Sequence, residues 1–141
     1  MSKIIVVGGG AAGIMAAIRA AEGNSEVILL EKMPKIGRKL SITGKGRCNL
    51  TNTADVEEII KNISNGKFLY SALKNFTSND TVNFFESLGV ATKIERGGRI
   101  FPASDDASEV IDDLIRKMAI LGVKVINNSP VTEILAENKK I

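Results

Sequence analysis

Six consecutive residues, Gly8-Gly9-Gly10-Ala11-Ala12-Gly13, fit the spacing G-x-G-x-x-G, and Glu31 follows 18 residues beyond Gly13. This pattern suits a bound diphosphate. Gly8 permits a tight turn, Gly10 leaves no side chain between backbone and a pyrophosphate, and Gly13 lets a following helix pack closely. That helix, with Ala11 and Ala12 in its first turn, aims free N–H groups at the phosphates. A carboxylate at Glu31 can accept hydrogen bonds from the ribose hydroxyls of an adenosine, and its charge repels a 2′-phosphate. The alternative is an ordinary strand–helix–strand unit with a glycine turn and a solvated glutamate.

A second chemistry-bearing stretch follows directly. From Lys32 to Arg47 there are six cations, Lys32, Lys35, Arg38, Lys39, Lys45 and Arg47, and no acid. Such a run is either a solvated face or a contact for an anionic ligand; Gly37, Gly44 and Gly46 permit close backbone approach and favour the contact. Thr43 to Asn52 is dense in polar groups. Asn49, Thr51 and Asn52 offer neutral donors and acceptors suited to a flavin edge or a carbonyl substrate. Cys48 has two readings. Its cationic neighbours favour a thiolate, whereas a lone cysteine also serves as a small packing residue.

The elements that position these residues can be read from periodicity. Ile4-Ile5-Val6-Val7 is a short apolar run of the kind a strand buried on both faces needs, and Ala11–Glu22 carries Ile14, Met15 and Ile18 at helical spacing before Gly23. Glu26–Glu31 is the second parallel strand. Asp55 caps a helix containing Val56, Ile59, Ile60 and Ile63, and Asn65-Gly66 ends it. Residues 67–76 place Phe68, Leu69, Ala72, Leu73 and Phe76 on one helical face, and 80–88 do the same with Val82, Phe85 and Leu88. These aromatics read as core rather than as cofactor stackers. Residues 92–95 and 99–101 flank Gly97-Gly98 as a hairpin, which puts Arg99 opposite Glu95. Ser104 or Asp105 caps a long crossover helix to Leu121. Val123–Ile126 is then the third parallel strand, and Val131–Leu135 begins another after Pro130.

Composition sets the bounds. A chain of 141 residues with 44% hydrophobic content amounts to about one domain with a core of its own. No apolar run approaches the roughly 20 residues a bilayer requires, and a strand starting at residue 4 leaves no room for a signal sequence, so a cytoplasmic protein is expected. One cysteine excludes an internal disulfide framework, and the absence of histidine excludes a His-based triad or His metal site in this stretch. A net charge of +3 gives no reason to expect a nucleic-acid or membrane partner; a small-molecule substrate is expected.

The glycine turn, Glu31-Lys32, Gly37-Arg38-Lys39 and above all Gly46-Arg47-Cys48-Asn49-Leu50-Thr51-Asn52 resemble a family of bacterial flavoproteins. These are the NAD(P)/FAD-dependent oxidoreductases or aminoacetone oxidase family FAD-binding enzymes, and they include the BaiN-like proteins. Gly98-Arg99-Ile100-Phe101-Pro102 is similar to a second motif of that family. The resemblance runs over the whole chain but corresponds only to the amino-terminal part of an FAD-binding domain. It implies that a substrate domain and the end of the FAD fold lie outside residues 1–141.

The resemblance also implies a Rossmann-like three-layer α/β fold with a parallel sheet of order 3-2-1, interrupted by a helical and hairpin insertion. FAD is the expected cofactor, with NAD(P)H as a possible electron donor, and the expected chemistry is flavin-mediated hydride transfer. Gly8, Gly10, Ala11, Ala12 and Gly13 would hold the pyrophosphate and Glu31 the ribose. Lys32, Lys39, Arg47, Cys48 and Asn49 would line the path toward the isoalloxazine, Val131 would meet adenine through its backbone, and Arg99 would approach the flavin region. No residue is assigned to catalysis. Two rivals stay open: an NAD-binding dehydrogenase module and a non-catalytic nucleotide-binding module. A flavin–dithiol reductase is disfavoured, because it needs a second cysteine.

Overall fold

A computed structural model describes residues 2–136. The chain divides into two compact units: residues 1–40 with 114–141, and Ser41–Asp113. The second unit is thus the insertion expected between the second and third parallel strands.

In the first unit, β1 (Lys3–Val7), β2 (Glu26–Leu30) and β6 (Lys124–Ile126) form a parallel sheet of order β1-β2-β6, as expected. Ile4 pairs with Val27 and Val6 with Leu29, so these four side chains share one face. Helix α1 (Ala11–Glu22) covers that face with Ile14, Ala17, Ile18 and Ala21, all buried. Ile5 and Val7, on the opposite face, are 56% and 58% exposed, so burial of β1 on both faces is met on one face only among the described residues. A short helix, α2 (Arg38–Ile42), arises within the basic run, past the reach of Pro34.

Unit two carries an antiparallel sheet of order β3-β5-β4, from β3 (Thr51–Asn52), β5 (Arg99–Pro102) and β4 (Thr92–Glu95). The hairpin is as expected, and Glu95 does face Arg99 in register. Strand β3 was not anticipated; two residues carry no period. Asp55 caps α3 (Val56–Lys61) by accepting from the Glu58 N–H at 2.7 Å. That helix ends four residues before Asn65-Gly66. A 3-10 turn (Gly66–Leu69) precedes α4 (Tyr70–Asn75), and this break turns Phe68 out to solvent instead of onto a continuous stripe. Helix α5 (Ser78–Ser87) begins two residues early, because Thr77 and Asp80 form a reciprocal capping box. Phe76, Phe84 and Phe85 pack edge to face, with centroids 6.4 and 5.2 Å apart, but all three are half-buried, so they form a surface cluster and not the core expected of them.

Helix α6 (Ala107–Ile120) runs from the second unit into the first and buries Ala107, Val110, Leu114 and Met118. Its start is held by Asp106, whose carboxylate accepts from the Ser108 N–H at 2.8 Å; this is neither Ser104 nor Asp105. Its far end meets α1 through Lys117 and Glu22, 3.4 Å apart. Val131–Leu135, expected to begin a strand, has no regular secondary structure. A strand needs a ladder partner, and none pairs with it among the described residues. No described helix is long and apolar enough to cross a membrane.

Candidate functional site

The glycine turn shows a division of labour that added side chains make plain. Gly8 has φ of +98°, its N–H donates to the Leu30 carbonyl at 2.8 Å, and a Cβ there would touch nothing; conformation alone requires glycine. At Gly13 the reason is packing, since a Cβ would drive into the Gly8 carbonyl oxygen. Gly10 is different again. Its backbone is extended and the space where a Cβ would sit is open, at the start of a helix that no side chain caps. Open space beside uncapped N–H groups is what a diphosphate needs. Ala11 and Ala12 lie exposed in that first turn.

Gly9 was not singled out from the sequence, yet it carries the contacts that lock the turn. Its N–H donates to Glu31 Oε2 at 2.6 Å, and its carbonyl accepts from the Gly37 N–H at 2.7 Å. A Cβ on Gly9 would collide with the buried Ile36 and meet Glu31 Oε2 at 3.2 Å. The segment after β2 is therefore seated against the turn. A third consecutive glycine, where the spacing demands none, was the available signal.

Glu31 is buried at the carboxyl end of β2. Its Oε1 accepts from the Met33 N–H at 2.8 Å, so each carboxylate oxygen has one backbone donor and retains lone-pair capacity for a ribose hydroxyl. The Met33 and Gly9 amides hold the carboxyl below the usual glutamate range. Its main chain is fixed as well: Glu31 N–H donates to Ile126 at 2.9 Å, and its carbonyl accepts from Ser129 at 2.8 Å. Lys32 and Lys39 are exposed in the same unit, and Val131 lies in the irregular segment after β6.

Arg47, Cys48 and Asn49 belong to the second unit. Their loop follows an unusual course, with positive φ at Gly44, Lys45, Gly46 and Cys48. Cys48 is 1% exposed and its N–H donates to Thr43 at 3.0 Å. Burial pushes its thiol pKa up, which fits packing rather than a reactive thiolate. Asn49 spends its amide donors on the carbonyls of Thr51 and Ile100, at 3.0 and 2.9 Å, and leaves Oδ1 as an acceptor. Arg47 donates to Glu95 Oε1 at 2.8 Å and to Asp105 Oδ1 at 3.4 Å, and its guanidinium lies 4.2 Å from the Phe101 ring centre. Arg99, exposed on β5, is 5.9 Å from the same ring.

Comparison with known proteins gives the family and the fold. Residues 2–141 match the family model described as HI0933-like protein Rossmann domain. The chain is 42% identical over 127 residues to a 3-dehydro-bile acid delta(4,6)-reductase of Clostridium scindens, covering 89% of this chain and 31% of that protein. It is 34% identical over 111 residues to a ribosomal RNA dihydrouridine synthase of Escherichia coli, covering 79% of this chain and 27% of that one. The chain thus spans about a third of the length of these curated relatives. Among solved structures, a 3-ketosteroid-delta4-(5alpha)-dehydrogenase from Rhodococcus jostii aligns with a TM-score of 0.61 at 15% identity, over 90% of this chain and 38% of that one. The L-proline dehydrogenase of P. horikoshii aligns with a TM-score of 0.52 at 18% identity, over 97% and 46%. These two show a shared fold. The family match runs from the first strand to the end of the chain, which belongs to the HI0933-like family as its Rossmann domain.

Proposed function

We propose that the glycine turn and Glu31 hold the adenosine diphosphate half of FAD, in a protein that adds hydride to an unsaturated small molecule. The observation that carries this reading is the open, uncapped start of α1 at Gly10 beside a buried, ionised Glu31. The uncapped amides of the first turn would meet the pyrophosphate, while the spare acceptor capacity of Glu31 takes the ribose hydroxyls. Bound flavin supplies the redox chemistry, and the protein binds and orients it.

The names of both curated relatives describe addition of hydrogen to a carbon–carbon double bond, which supports reduction as the direction. The higher identity to the bile acid enzyme supports a small molecule over RNA as substrate. NAD(P)H is the proposed donor and the cytoplasm the proposed location. Lys32, Lys39, Arg99 and Val131 are proposed to flank the bound cofactor, and Asn49 Oδ1 to accept from a ring N–H.

Competitive titration tests the reading against an NAD-binding module. FAD should bind one equivalent and be displaced by ADP. Saturable NAD⁺ binding without FAD binding would assign the turn to the nicotinamide cofactor instead.

A further inference from the structure

In the second unit, Arg47 has the appearance of a phosphate-binding cation in sequence and behaves otherwise in structure. Its Nη1 is committed to two carboxylates, Glu95 on β4 at 2.8 Å and Asp105 at 3.4 Å, and its Nε donates to the Gly44 carbonyl at 3.3 Å. Lys93 also pairs with Asp105, at 2.5 Å, and sits 3.9 Å from Glu95. The two acids are therefore shared by two cations. The Arg47 guanidinium, 4.2 Å from the Phe101 ring centre, lies on a ring that is itself buried. A Cβ at Gly44 would come within 2.8 Å of that same ring, so the loop is pressed onto Phe101 from two positions.

The backbone that Arg47 ties down would not hold its course unaided. Lys45 and Cys48 both have φ near +60°, where a side-chain-bearing residue is strained relative to its usual conformation. Such conformations persist only where surrounding contacts over-determine them. The contacts are present: Gly46 accepts from the Ala107 N–H at 3.0 Å, Leu50 donates to Ile100 at 2.8 Å, and Asn49 Nδ2 donates to Ile100 at 2.9 Å. Arg47 adds its side chain to this set, through Gly44, Glu95 and Asp105.

We infer that Arg47, Glu95 and Asp105 are positioning residues, a brace that holds the 43–49 loop in its left-handed course and so fixes where Asn49 presents Oδ1. Arg47 acts through the loop and does not contact the cofactor phosphates. The inference rests on the proposed flavin reading only for what Asn49 serves; the brace itself is independent of it.

Amide hydrogen exchange and FAD titration on Arg47→Ala, Glu95→Ala and their double variant test this. Each single change should speed exchange of the Gly46, Cys48 and Leu50 amides about tenfold, and the double variant should exchange no faster than the worse single. Arg47→Lys, which keeps charge but loses the planar fork, should not restore protection. Unchanged exchange, or additive effects in the double variant, would overturn the brace. In the titration, Glu95→Ala should weaken FAD as much as Arg47→Ala does. If Arg47 met a phosphate instead, freeing it by Glu95→Ala would leave or improve affinity, and that outcome contradicts the inference. A wild-type chain that binds no FAD at all would defeat the flavin reading, while the exchange data would still decide the brace.

Discussion

The Gly9 N–H donates to Glu31 Oε2 at 2.6 Å, so the glycine turn and the carboxylate at the end of β2 form one hydrogen-bonded unit across 22 residues of sequence. Glu31 is buried, and its charge is held chiefly by the Met33 and Gly9 amides, with Lys32 adding to them. The glycine turn and this carboxylate are therefore coupled to each other.

Replacement of Glu31 by Ala should weaken adenosine dinucleotide binding by about 1–3 kcal/mol, through loss of a charged acceptor and release of the Gly9 amide. Unchanged affinity by calorimetric titration would remove Glu31 from the site.

The same carboxylate makes a pH prediction. Because the Met33 and Gly9 amides lower its folded pKa from 4.5, its stabilisation is fully present above that value and is lost as pH falls through the folded pKa. Glu31→Gln should flatten part of the acid limb of a stability–pH curve. Superimposable curves for the two proteins below pH 4.5 would contradict it.

Gly13 and Gly10 should separate folding from binding. Gly13→Ala forces a methyl into the Gly8 carbonyl and should cost about 1–3 kcal/mol of stability. Gly10→Val fills open space, so its thermal unfolding should resemble wild type while FAD affinity collapses. Thermal melts with matched titrations would show the two effects trading places if the assignment were wrong.

Cys48→Ser should leave flavin reduction largely intact, since the buried thiol has no second cysteine for a dithiol relay. A thiol reagent should label Cys48 slowly in the native protein and rapidly after denaturation. Rapid native labelling, or loss of reduction with flavin still bound, would restore a redox role.

The outer edge of β1 has no ladder partner among the described residues, and Ile5 and Val7 are exposed beside it. Unpaired apolar edges promote association. Light scattering should therefore show concentration-dependent self-association that Val7→Lys reduces and that added downstream sequence of the matching relatives suppresses. A monodisperse monomer would count against this.

Much of the first unit was legible because its signals are local. Ile4–Val7, the glycine spacing and Val27–Leu29 each fix one element, and their order leaves a single parallel topology. What escaped notice is relational. Gly9 matters because Ile36 folds back onto it, and Arg47 turned out to answer Glu95 and Asp105, 48 and 58 positions away. Glu95 does face Arg99 across the hairpin, as the register required, but its ion pair goes to Arg47. The apolar stripe of α5 marks the helix but not its start, which the Thr77–Asp80 cap sets. Val131–Leu135 has the composition of a strand without a partner to make it one among the described residues.

The most direct test of the central claim is FAD titration of the 141-residue chain beside Gly10→Val, with circular dichroism to verify that both are folded. Quenching of flavin fluorescence should saturate at one equivalent, with weak affinity, for the wild type. It should be displaced by ADP and be at least tenfold weaker in the variant. Equal binding by the two folded proteins, or binding that ADP does not displace, would contradict the assignment of the glycine turn to the cofactor.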